Sequence, residues 1–213
     1  MEKVCHLAFK KMFFEELKQY VSNHNKIEVL YNDVIKRYSN KLRFYHNLDH
    51  IYSMCFLWKK YKDKFDYPSE MFLAIVYHDI IYKVDRIDNE ECSAEYFKKI
   101  ALKKSFDIKF YRIIIVVDLI KSTKHSERKY YKMPEFNYLL DFDLNIFSSL
   151  EYDSYIHNIR NEYKRYSNFV YKKGRLDFLH DFLKRDIFLT KEFKKFENIA
   201  KKNIKSEINY LNL

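Results

Sequence analysis

Apolar residues recur along this chain mostly three and four positions apart, the spacing of helices that bury one face. Val4, Leu7, Ala8, Phe14 and Leu17 predict a first helix over residues 2–20. Ile27, Leu30, Tyr31, Val34 and Ile35 predict a second over 26–38. A third leads from Arg43–Ile51 to Lys62, with His46 and His50 four apart and on one face. Pro68 suits the first turn of a fourth helix, which reaches Ile81. Asp88 and Glu91 have the spacing of a capping box for a helix over 89–104, and Asp107 offers a cap for one over 108–121. Short and long amphipathic patterns follow over 135–147, 151–170 and 176–185. Gly174 reads as a left-handed turn between the last two. Thr190 caps a final helix to residue 211, with Phe193, Phe196, Ala200, Ile204, Ile208 and Leu211 inward.

One stretch breaks this regularity. Leu73–Tyr82 is among the most apolar runs, yet it carries adjacent His78 and Asp79. Ionisable groups in a run that should be buried are costly unless something compensates them, and a metal cation would compensate both.

Composition narrows the fold. The 213 residues include one glycine and two prolines, too few for the many turns of a β-rich chain. Hydrophobic residues make up 47%, enough for a full core. No linker, repeat or low-complexity tract interrupts the pattern, so one all-α domain over residues 1–213 is expected. The formal charge of +10 would favour anionic partners, but the lysines are scattered and form no dense basic block. Nucleic acid is therefore admitted without being favoured. Cys5, Cys55 and Cys92 are odd in number and lack metal-type spacing, so free thiols in a reducing compartment are expected. The N-terminus has no uninterrupted apolar segment, and no run approaches the roughly 20 residues that span a bilayer. A cytoplasmic location without membrane contact is the expectation.

Ligand-type residues concentrate in three places: His46 and His50, His78-Asp79, and Asp141 with Asp143. His125 is a fourth candidate. Imidazole and carboxylate together suit divalent Mn, Fe, Co, Ni or Zn, with Mg also admitted, and the lack of cysteine argues against structural zinc. Each motif alone is weak, since a His-x-x-x-His pair or an Asp-x-Asp serves structural roles more often than not.

Their order carries more. His50, then His78-Asp79, then a distal Asp resembles the HD superfamily of metal-dependent phosphohydrolases, an all-helical family. Tyr45-His46-Asn47-Leu48-Asp49-His50 is also similar to the Tyr-His-Asn-x-x-His motif of cyclic-nucleotide phosphodiesterases. A small predicted HD phosphohydrolase family resembles the chain over about residues 25–211. The shared pattern includes His78-Asp79-Ile80-Ile81-Tyr82, Asp141-Phe142-Asp143-Leu144, Glu162-Tyr163 and Gly174-Arg175.

The resemblance implies an HD-type helical bundle with His50, His78, Asp79 and Asp143 as metal ligands. Asp141 is the rival for the last place and Asp118 a weaker one. His46 would be a general acid or phosphate contact, or would orient a ligand. Glu90 would act as base on water, or serve only as a helix N-terminal carboxylate. His125, and Asp141 with it, are candidates for a second metal or for substrate. Arg160 and Arg175 would grip phosphate, with pairing of Arg160 to Glu162 as the structural alternative. The implied substrate is a small phosphorylated compound, a nucleotide in particular. The competing reading is a non-catalytic HD scaffold that binds a nucleotide or nucleic acid.

Overall fold

A computed structural model of the chain describes residues 2–103, 106–127 and 129–213, with side chains from His6 onward. Cys5 and Val4 side chains and Lys104 therefore lie outside the described residues. The chain is all-helical, and among the described residues there is no strand. No described helix is long and apolar enough to cross a membrane.

The helices are α1 (Glu2–Leu17), α2 (His24–Tyr38), α3 (Leu48–Tyr61), α4 (Pro68–Tyr77), α5 (Asn89–Ala101) and α6 (Phe110–Ser122). They continue as α7 (Pro134–Asp143), α8 (Tyr152–Glu162), α9 (Asn168–Leu183), α10 (Lys191–Lys194) and α11 (Glu197–Asn212). Helix α4 is the centre. Every residue from Ser69 to Tyr77 is buried, as expected of a helix that is apolar all round. It packs against α3, α5, α6 and α7. Its one acid, Glu70, is buried but accepts from Tyr20 Oη and pairs with Arg112, each at 2.7 Å.

Several local expectations change. In α1 the inward stripe is Phe9, Phe13 and Leu17, while Leu7 and Ala8 face out. Helix α3 begins after His46, because Asn47 caps it by accepting from the Asp49 and His50 N–H groups. Helix α4 stops at Tyr77, so His78 and Asp79 sit in the turn beyond its end. The Asp88 capping box does not form: Asp88 pairs with Arg86, and Glu91 with Lys124. Asp107 does not cap α6, since Lys109 precedes that helix.

The single long helix expected over 151–170 is two. Arg160 binds the carbonyls of Tyr163 and Tyr166, and the Ser167 hydroxyl starts α9 by accepting from the Val170 N–H. Gly174 consequently lies inside α9, and its φ is not positive. Thr190 gives its hydroxyl to Asp141 and leaves α10 without a side-chain cap. The final helical pattern then breaks between α10 and α11.

Candidate metal centre

Three elements meet at one point. His50 comes from the first turn of α3, His78 and Asp79 from the turn after α4, and Asp143 from the last residue of α7. His50 Nε2 lies 3.3 Å from His78 Nε2, 3.2 Å from Asp143 Oδ1 and 4.0 Å from Asp79 Oδ2. His78 Nε2 lies 3.0 Å from Asp79 Oδ2 and 3.8 Å from Asp143 Oδ1. Ligand atoms of His50, His78 and Asp143 fall within 4.8 Å of one another, so the group can hold a metal ion.

The donor chemistry fits. His78 Nδ1 donates to the Ile75 carbonyl at 2.9 Å, which places its hydrogen there and leaves the Nε2 lone pair for the cluster. Two imidazole nitrogens and two carboxylates without sulfur are a donor set for a borderline or hard divalent ion. Without an ion, burial alone would lower the His78 pKa, but the Asp79 and Asp143 charges outweigh it and push it up to about 9, so a bound cation would have to displace a proton from Nε2. Burial would raise both carboxyls, yet His78 holds Asp79, and His125 with His50 holds Asp143, well below the usual carboxylate range. Both carboxylates are thus held ionised at a buried site.

Asp143 uses both oxygens: Oδ1 faces His50, while Oδ2 stands 3.0 Å from His125 Nε2. His125 therefore belongs to the site. Asp141 does not. It is fully buried and accepts from the Leu189 and Thr190 N–H groups and the Thr190 hydroxyl, each at 2.7 Å. That triple anchor corrects its candidacy for a metal or substrate. Asp118 is exposed on α6.

The cluster opens into a cavity of about 710 Å³. His46, Glu90 and His125 line it. His46 stacks on Tyr82 at 4.0 Å, and its Nδ1 donates to Glu162 Oε2 at 2.7 Å. Burial lowers the His46 pKa, but the Glu162 carboxylate more than reverses this and raises it. Burial pushes the Glu90 carboxyl up, with added repulsion from Asp79.

The arginines are placed otherwise than expected. Arg175 reaches the cavity wall, but its guanidinium is spent on Glu207 at 2.8 and 3.1 Å and on Tyr155 Oη at 3.2 Å. Arg160 does not pair with Glu162; it holds the α8–α9 turn and Asn168.

Two residues hold roles at the site that the sequence did not assign to them. Glu162 binds the Tyr45 and His46 N–H groups at 2.8 and 2.9 Å as well as the His46 ring. It occupies the inward stripe Tyr152, Tyr155, Ile159, Glu162, and an acid on a buried face is the signal that could have found it. Arg43 donates to the carbonyls of His46, Asp79 and Ile80, which ties the His46 loop to the His78-Asp79 turn. Comparison of the chain with protein-family models, curated proteins and solved structures finds no match.

Proposed function

We propose that this protein is a metal-dependent phosphohydrolase of the HD type that cleaves a phosphomonoester or phosphodiester, in particular of a nucleotide. The observation that carries this reading is the convergence of His50, His78, Asp79 and Asp143 at the floor of an open cavity. These four would hold a divalent ion, which would supply Lewis-acid chemistry towards a phosphoryl oxygen and water.

The chain's own groups provide the rest. His46, anchored through Nδ1 by Glu162, keeps a proton on the cavity wall for the leaving oxygen. Glu90, with its raised pKa, is suited to take a proton from the attacking water. His125, beside Asp143, completes the polar floor.

The test is metal analysis of purified wild type beside Asp79→Ala, followed by a broad panel of nucleotides and simple phosphate esters with added Mn. Stoichiometric metal and turnover in wild type, both lost in the variant, are expected. A wild-type protein that holds no metal and hydrolyses nothing refutes the proposal.

A further inference from the structure

Gly174 is the single glycine of the chain, and neither backbone nor packing accounts for it. It sits inside α9 without positive φ, where alanine would serve the helix better. A Cβ built on it would meet no atom within 4 Å, so no neighbouring group requires the missing side chain. Yet Val170, Gly174 and Phe178, four apart on one helix face, all line the cavity.

The surroundings say what the space suits. Tyr171, on the same wall, is only 8% exposed, and its hydroxyl is buried without a hydrogen-bond partner. Tyr155 also lines the wall and packs on Tyr45 with ring centres 4.6 Å apart. Tyr45 in turn lies 4.9 Å from the His50 ring. An aromatic surface thus runs from the metal-ligand cluster towards α9. Arg175 offers no free charge there, because Glu207 neutralises it.

We propose that Gly174 opens a subsite for the organic part of the substrate, a flat aromatic group with a polar edge such as a nucleobase, seated between Val170 and Phe178. Rings stack on such walls, and a turn of the Tyr171 side chain on binding would bring its buried, unpartnered hydroxyl to a polar edge. This assignment deepens the phosphohydrolase reading and rests on it for the placement of the phosphate.

The experiment uses probes without phosphate, so that binding is read apart from hydrolysis. Fluorescence anisotropy of 1,N6-ethenoadenosine and of 4-methylumbelliferone is titrated against the full chain as purified. Wild type should bind at least one probe. Gly174→Phe, which fills the space, should weaken that binding at least about tenfold. Gly174→Ala should weaken it less while raising Tm by roughly 1–4 °C, as removal of a helix-interior glycine does. Lys173→Ala, an exposed neighbour outside the cavity, should bind as wild type.

The subsite is refuted if neither probe binds wild type, if Gly174→Phe binds as wild type, or if Gly174→Ala lowers Tm. Should Gly174→Phe fail to fold, Gly174→Ala decides alone: a higher Tm with weaker binding supports the subsite, and a higher Tm with unchanged binding refutes it. Probe binding that Gly174→Phe abolishes, in a protein that hydrolyses no ester, would sink the hydrolase and leave the subsite standing.

Discussion

Glu162 offers the sharpest test of how the site is held. Its side chain is fully buried, and it binds His46 Nδ1 through Oε2 and two backbone N–H groups through Oε1. Glu162→Gln keeps an oxygen for the two N–H groups but sets an amide against His46. A buried hydrogen bond between charged partners contributes roughly 1.5–3 kcal/mol. A double-mutant cycle of Glu162→Gln and His46→Ala, measured by urea unfolding at fixed metal concentration, should return that coupling energy.

Its pH dependence has a definite shape. The folded His46 pKa is raised, so its share is complete below the unfolded value of about 6.5 and is lost as pH rises through the folded one. Burial would raise the Glu162 pKa, but His46 and the backbone N–H groups lower it. Its share is complete above the unfolded value of about 4.3 and is lost as pH falls through the folded one. The coupling should therefore peak between about pH 4.3 and 6.5. A coupling under about 0.5 kcal/mol at pH 5.5, or one that grows towards pH 9, refutes the ion pair as the element that fixes His46.

Three further outcomes are expected. A divalent ion at about one hundred times its Kd should stabilise the protein by about 2.7 kcal/mol and raise Tm by roughly 5–11 °C. EDTA should reverse that shift, and Asp143→Asn should abolish it; a shift retained in the variant places the ion elsewhere. Asp141→Ala leaves the Leu189 and Thr190 N–H groups and the Thr190 hydroxyl without their acceptor and should cost at least about 3 kcal/mol in urea unfolding without loss of metal. Metal loss at full stability would reinstate it as a ligand. Arg175→Leu leaves the Glu207 charge buried with only the Tyr152 hydroxyl as partner and should cost roughly 3–5 kcal/mol, largely restored by adding Glu207→Leu; unchanged stability of the single variant would return Arg175 to consideration as a phosphate contact.

The helical fold was legible from local apolar spacing, which marks α2 and α11. The set His50, His78, Asp79 and Asp143 came from the resemblance to the HD superfamily, and the structure brings these four together. What stayed hidden depends on long-range pairing. Nothing near Arg160 in sequence says that it will satisfy carbonyls at the α8–α9 turn. Asp88 looked like a cap because Glu91 follows at the right spacing, but Arg86 and Lys124 compete for the two acids and win. Glu162 and Glu207 stood in plain view on apolar stripes. Their partners, His46 and Arg175, lie 116 and 32 residues away in sequence, beyond any local pattern.

The Asp141–Asp143 pair shows why one helix end can serve both site and scaffold. Residues two apart on a helix point roughly 200° from each other, so only one of the two can face the cluster. Asp143 does so. Asp141 points into the core and fastens the segment that leads into α10. A candidate ligand and the anchor of the C-terminal elements are therefore fixed on the same rigid turn. An ion held by His50, His78, Asp79 and Asp143 would join the start of α3, the end of α4 and the end of α7, closing loops that the unfolded chain leaves open. That linkage is why metal should appear first as a gain in stability, before any substrate is found.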